Sequence, residues 1–589
     1  MVTFVEISPE TKQAHKPCND NAYLFTQFFL HDDNERRNEI LYCLQDNVRN
    51  QSISHVILLN ERIYSDEELG VVSEKIEQVN IGKRLFFSDI FEYVFKTKIQ
   101  GYILIANVDI FFSQTFSPLY KSDIHEEKKM FSLLRHEYRG NHDLSKASLF
   151  GSKMSLLESM KNEHGDLYNQ IINSEETPNE IFVDGARADS WDAWIIHTNF
   201  MITPKQNKVF KFALGTPGCD NKLIYLFRII GYEIYNDPLY FPIYHYHCQQ
   251  KRSYTNADRV DPPYGLYIPA RTSLNSTPGS LGVDIPNVLK RTDELKCLHF
   301  SNDNLKLKEY IEMKRQVNMP FIIPRIAGEE NNFAVFTRLM SEDKIPKTQT
   351  QLLRPHIMKN NAGIKISSFQ SAENYSRQYL SAFEHAELYS VWEPWGGVYR
   401  AIQHSHDYVT STFQKQQVWA FTFDIYHYLH NPWTWSLKGL RLLIISPFED
   451  SIQERLSERS EIYGVDLFPE CNFVFIKPPQ TQGDQVSREF SDELKTFYEE
   501  LETKKDLFDV ALCSCGGYGN LVCDYIYTHM GKSAIYVGGV LQMYFGIYGT
   551  RWLRERKDIL RLYLNDHWTR PKDKEKPKNF QKVEGSCYW

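Results

Sequence analysis

The sequence predicts an α/β protein built as two units, on three observations. Residues 23–112 alternate apolar, β-branched runs with amphipathic segments, the strand and helix order of a parallel layer with crossover helices. Residues 508–539 repeat the theme as a strand, a glycine turn, a helix and a further strand. Between them, residues 261–282 are rich in Pro, Gly, Ser and Thr and read as an irregular connection. At 589 residues the chain is long enough for two cores. The expected division is 1–265, a linker over 266–315, a second unit over 316–560, and a tail over 561–589 whose charged run, 570–582, reads as solvated and mobile.

Aromatic content is 14%, with 24% charged and 42% apolar residues, the balance of a soluble globular protein. A net charge of -8 argues against a general nucleic-acid binder. The start, MVTFVEISPETKQ, lacks the basic and apolar segments of a secretory signal. Residues 534–549 are too short and glycine-rich to span a bilayer. A soluble, cytoplasmic protein without a transmembrane segment is expected. Of the ten cysteines only Cys513, Cys515 and Cys523 lie close together, which suits reduced, buried thiols better than a zinc site.

In order, residues 23–30 form the first strand, 36–48 its helix, and 55–60 (HVILLN) a second buried strand with a polar end. Residues 77–85 and a helix over 87–97 lead to 101–112, GYILIANVDIFF, around which the unit is organised. A continuous apolar run closed by polar residues marks a buried strand of a parallel sheet. Ligands sit off the carboxyl ends of such strands. Asn107 and Asp109 fall there on one side of the extended chain, placed either to share a divalent cation with a substrate phosphate or to make an ordinary strand-end turn.

Residues 130–135 form another strand. Arg135 at its end either faces a diphosphate or sugar or is a solvated terminus, and Lys83 and Arg84 carry the same two readings. In DSWDAW, Asp189 and Asp192 share a face if they open a helix. Either Asp189 caps that helix, or Trp191 and Trp194 form a platform for a sugar and a carboxylate, Asp192 before Asp189, takes the proton of an attacking hydroxyl. Residues 214–222, LGTPGCDNK, form a sharp loop on the acceptor side. His245 and His247, at i and i+2 of YHYH, point the same way as metal ligands do, with structural histidines as the alternative.

Asn107-Val108-Asp109, the DSWD segment and His245-Tyr246-His247 occur in the order found in GT-A-type glycosyltransferases, which they resemble. Those enzymes bind a nucleotide-sugar through a metal at an Asp-x-Asp strand end. The departure is Asn107, where the family has a carboxylate. The resemblance implies a mixed, Rossmann-like sheet with Asp109, His245 and His247 as ligands of Mn2+ or Mg2+. It also implies a base at Asp192 or Asp189, and Thr26, Lys83, Arg84, Asn107 and Arg135 around a UDP- or GDP-sugar.

In the second half, FIIPRIAGEENN (321–332) reads as a short strand, Arg325 and a small-residue turn into Glu329-Glu330. Strands follow at 440–445, 473–476 and 508–512. The last runs into Gly516-Gly517-Tyr518-Gly519, a helix over 520–530, and a strand over 533–537 closed by Gly538-Gly539. Glycines let a backbone approach a phosphate and a helix start offers N–H groups, although the spacing matches neither G-x-G-x-x-G nor Walker A and a tight packing turn is the alternative. Residues 361–363, 392–395 and 542–552, with Arg551, line a site or belong to the core. Residues 325–330 and 516–539 resemble the Arg-Phe-Gly-Asp-Gly-Glu opening and the glycine-turn close of GT-D-type glycosyltransferases, Gly328 standing where that signature has Asp. The resemblance covers 320–555. It implies a second Rossmann-like transferase, with Glu330 catalytic and Arg325, Gly516, Gly517, Tyr518, Gly519, Gly538, Gly539 and Arg551 around its donor.

The expected function is a bifunctional glycosyltransferase extending a glycan or glycoprotein acceptor. The alternative is one N-terminal transferase with a non-catalytic C-terminal module that binds glycan or mediates assembly. A metal-dependent hydrolase or nucleotidyltransferase is the rival from another enzyme class.

Overall fold

The computed structural model describes residues 20–140, 143–144, 147–151, 187, 189–239, 241–248, 254–266, 297–299, 303–393 and 397–589. The chain forms two compact units: apart from short exchanged segments, one ends at Phe300 and the other runs from Ser301 to Trp589. Both are α/β.

Unit 1 contains β1 (Ala22–Thr26), β2 (His55–Asn60), β3 (Ile76–Asn80), β4 (Tyr102–Ala106), β5 (Ile110–Phe112), β6 (Lys129–Leu133), β7 (His136–Tyr138), β8 (Ser148–Leu149), β9 (Ala193–His197), β10 (Glu233–Tyr235) and β11 (Ile243–Tyr246). Seven of them make a sheet in the order β10-β6-β9-β4-β1-β2-β3. It is mixed, because β9 runs antiparallel to both of its neighbours. Every residue of β4 is buried, as its unbroken apolar run requires of a central strand. The helix Phe87–Thr97 turns Phe87, Ile90, Phe91 and Val94 inward, the spacing of one helical face. A second, four-stranded sheet has the order β5-β11-β7-β8. The short strands β12 (Tyr264–Leu266) and β13 (Cys297–His299) pair in parallel.

Residues 189–192 do not open a helix: bends and extended chain lead straight into β9. Trp191 and Trp194, each 1% exposed, are core residues and offer no platform to a sugar. The reason is position, since β9 lies between β6 and β4 and all five of its residues are buried. The connection expected over 261–282 lies, from 267 onward, outside the described residues, as do Pro394 and Trp395.

Unit 2 is built on an all-parallel sheet of β14 (Ile322–Ile323), β17 (Arg441–Ile445), β18 (Asn472–Ile476), β19 (Val510–Cys513) and β20 (Ser533–Tyr536), in the order β14-β20-β19-β17-β18. A parallel pair, β15 (Leu388–Val391) and β16 (Gln416–Trp419), adjoins it through a bridge between Arg325 and Ser390. The helix Asp303–Gln316, within the stretch expected as a linker, is built into this unit. Its Asn304 donates to the Asn431 carbonyl at 2.8 Å and accepts the Trp433 N–H at 2.9 Å.

The last residues are not a solvated tail. Glu575 is fully buried and accepts the N–H groups of Ser451 and Lys572, while Val583, Cys587 and Trp589 are buried with it. The charged run is interleaved with apolar and aromatic anchors, and these decide its fate. Cys513, Cys515 and Cys523 are free and buried. Among the described residues no helix is long and apolar enough to cross a membrane.

Candidate functional site

After β4 the chain turns through residues 107–109 before pairing again as β5. β11 lies between β5 and β7, with His245 opposite Ile110 on one side and Glu137 on the other. The Tyr246 N–H donates to the Asp109 carbonyl at 3.1 Å. These short pairings place His245 Nε2 3.2 Å from a carboxylate oxygen of Asp109, 136 residues away in sequence. His247 Nδ1 stands 3.6 Å from the same oxygen.

Asp109, His245 and His247 each offer one ligand atom, all within 4.8 Å of one another. Two donors ~2.1 Å from one ion at right angles stand ~3 Å apart, so a small contraction closes the set around a metal. His247 Nε2 is buried without a hydrogen-bond partner among the described residues. Burial, with Arg36 and His245 nearby, pushes this imidazole down to about 4, so it is a neutral ligand near neutral pH. Asp109 also carries a buried ion pair with Arg36. Burial by itself would raise its carboxyl, but His245 and then Arg36 hold it well below the usual carboxylate range. For His245 burial works downward, and Asp109 overrides burial and Arg135 to bring it to about 9. A metal bound here would displace the His245 proton and share Asp109 with Arg36, whose other partner, Glu39, lies at 2.9 Å. The residues fit a metal on those terms, and two imidazoles with one carboxylate suit Mn2+ better than Mg2+.

From His245 the polar contacts continue. His245 Nδ1 is 3.4 Å from Glu137, Glu137 is 2.7 Å from Arg135, and Arg135 is 2.6 Å from Asp192. Arg135 also lies 3.8 Å from the Phe150 ring centre, so it is an interior cation and not a solvated terminus. Asn107 gives its amide to Asp192 at 3.1 Å and its backbone N–H to the Asp192 carbonyl at 3.2 Å. It therefore positions Asp192 and does not extend the metal set. Asp189 is held in two hydrogen bonds by Arg187, at 2.9 and 3.1 Å. Arg84 donates to the carbonyls of Leu214 and Gly215, on the loop beside Asn107. Lys83 pairs with Asp89 at 2.9 Å and lies over Phe86. Thr26 ends β1 with a buried hydroxyl that has no partner among the described residues.

Asp220, without an assigned role in the sequence, lies where the loop expected over 214–222 gives way to a helix at Cys219. It stands in the first turn of the helix Cys219–Ile229 and accepts the Trp191 N–H at 3.2 Å. Burial raises its carboxyl, backbone N–H groups oppose this, and Asp192 adds to the rise, leaving it at about 7. The available signal was an acidic residue directly after the turn residues of 214–219, at a helix start.

In unit 2 the glycine turn is closed by protein. A Cβ on Gly517 would stand 2.4 Å from Ile364, and one on Gly519 2.3 Å from the Tyr536 ring. Tyr536 and Tyr375 hydroxyls donate to the Gly516 and Gly517 carbonyls at 2.9 and 2.8 Å, and Tyr518 is buried. Gly538 and Gly539 make room for Arg325 and Tyr588 in the same way. Glu330 sits in the first turn of the helix Glu329–Ser341. Arg551 is paired with Glu584 and lies over the Tyr588 ring.

No family model matches this chain, and a search of curated proteins finds no match either.

Proposed function

We propose that unit 1 transfers a sugar from a nucleotide diphosphate sugar to an acceptor hydroxyl, as a GT-A-type glycosyltransferase does, and that unit 2 is a second transferase. The observation that carries the first reading is the trio Asp109, His245 and His247 at the carboxyl end of β4, where ligands of α/β sheets bind. That trio would hold a divalent ion, which would supply positive charge to a departing diphosphate. The Thr26 hydroxyl, at the end of the neighbouring parallel strand, is offered to the donor. The base role expected of Asp192 passes to Asp220, because Asp192 is pinned by Arg135 and Asn107 while Asp220 titrates near neutral pH. Asp220 takes the proton of the acceptor hydroxyl as the acceptor oxygen bonds the anomeric carbon. The bond from that carbon to the diphosphate breaks, and the diphosphate leaves with the electron pair.

A panel of nucleotide-sugars, with and without acceptor and Mn2+, tests this by release of the nucleoside diphosphate. Transfer is expected to need the metal and to be lost in Asp109→Ala. Release that ignores the acceptor would mark a hydrolase and end the transferase reading. For unit 2, one observation favours the second reading of a non-catalytic glycan-binding or assembly module: its glycine turn is filled by Ile364 and Tyr536 and offers no cradle.

A further inference from the structure

We propose that unit 2 holds an anion site centred on Arg325, which takes the diphosphate of a nucleotide-sugar without a divalent ion, beside the carboxyl groups of Glu330 and Glu393. It rests on the reading of unit 2 as a transferase, and places its donor away from the closed glycine turn.

Arg325 is held firmly at the backbone. Its N–H donates to Asn520 Oδ1 at 3.1 Å and its carbonyl accepts from Asn520 Nδ2 at 2.9 Å, with Asn520 itself buried. The guanidinium lies 4.6 Å from the Trp392 ring centre and gives one hydrogen bond, from Nη1 to the Val537 carbonyl at 2.9 Å. Among the described residues it makes no ion pair, whereas Arg36, Arg135, Arg551 and Arg556 all do. A guanidinium has five N–H donors in a fork that matches phosphate oxygens, and here most of them are unspent. Gly538, at φ +79, holds a backbone conformation that favours glycine, and a Cβ there would stand 2.8 Å from Nη1.

Two further features converge on the same end of the sheet. The thirteen-residue helix Glu329–Ser341 starts at Gly328 without a side-chain cap, and an uncapped helix start favours an anion. Glu330 and Glu393 would ordinarily repel one. Burial, with Glu584 and Glu329 near the first and Asp424 near the second, pushes both up to about 7 despite backbone N–H donors and Arg325. Each therefore carries a proton much of the time near neutral pH and donates it to a phosphate or sugar oxygen. Arg325, Glu330, Trp392 and Glu393 are all half-buried, none of them sealed wholly in the core. A carboxyl that must first lose a proton is a weak ligand for a metal, and Arg325 already supplies the positive charge.

The test uses the full chain in EDTA, which strips any ion from unit 1, with UDP, GDP and inorganic pyrophosphate titrated calorimetrically. Binding is expected to persist in EDTA, to weaken about tenfold or more in Arg325→Gln, and to be partly recovered in Arg325→Lys, with all three proteins melting alike. No binding in EDTA, or equal affinity in Arg325→Gln, overturns the site. Nucleotide-sugar turnover measured in parallel separates this from the transferase reading. Arg325-dependent binding without turnover supports the anion site and removes the transferase, whereas turnover in EDTA indifferent to Arg325 overturns the site alone.

Discussion

In unit 1 the guanidinium groups around the proposed site are spent: Arg36 on Asp109 and Glu39, Arg135 on Asp192 and Glu137. In unit 2, among the described residues, the Arg325 guanidinium donates to a single carbonyl, and Glu330 and Glu393 are pushed up toward neutrality instead of being paired. Burying ion pairs contributes little net stability, because desolvation offsets most of their attraction. A fold that nonetheless builds a run of them, from Arg36 through His245 to Asp192, holds negative charge in a fixed array that a cation can share. A fold that leaves one arginine unmatched keeps positive charge for something that arrives from outside.

Replacing Arg135 by Met is expected to have the largest effect. It leaves the half-buried Asp192 and Glu137 without their shared cation and costs ~3 kcal/mol of stability in chemical denaturation. Arg325→Met, which strands no carboxylate pair, is expected to cost under ~1 kcal/mol. Equal losses would erase the contrast between the units. The next effect is on metal. His247→Ala removes a neutral ligand with no other hydrogen-bonded role for Nε2, so Mn2+ affinity, read by electron paramagnetic resonance, is expected to fall ~100-fold while melting barely moves.

The strands and the two histidines that meet Asp109 were legible because each rests on a local pattern. The apolar run of β4 is short, carries the β-branched Ile103 and Ile105 and is flanked by Gly101 and Asn107, which favours a strand, and His245 and His247 alternate along an extended segment. The register that seats His245 between Ile110 and Glu137 was not legible, since pairing between strands far apart in sequence is a tertiary fact. Residues 189–194 misled because a short run buried on both faces has the same composition in a strand as in a buried helix. The last 29 residues, 561–589, misled because their charge outnumbers the few aromatic anchors that dock them. Asp192 looked like a free carboxylate because nothing local shows that Arg135 and Asn107 converge on it.

The glycine turn shows the same limit at one atom. A missing Cβ admits a phosphate or an aromatic ring equally well, and at Gly519 it is the Tyr536 ring that enters. Gly519→Ala is therefore expected to destabilise unit 2 by ~2 kcal/mol through overpacking. Gly328→Ala, where nothing lies within 4 Å of the added carbon, is expected to change stability by less than ~0.5 kcal/mol. Comparable losses at both would mean that the turn is open and a ligand cradle after all.

The smallest effect tests the protonation state on which the anion site leans. Glu330 titrates at about 7 in the folded chain, chiefly through burial, against ~4.3 for an unperturbed glutamate. Between those values the folded state holds a proton that the unfolded state has lost, so stability falls as pH rises from ~4.3 to about 7 and is level above that. Gln cannot ionise and lacks this slope. Glu330→Gln is thus expected to gain on the parent between pH 5 and pH 8, by ~1–2 kcal/mol once the side chain's partial exposure is allowed for. Urea midpoints of both proteins at the two pH values measure it. A difference that stays constant, or grows toward acid, would mean that Glu330 is already ionised at pH 5, and a fixed negative charge beside Arg325 would repel the diphosphate that the site is proposed to hold.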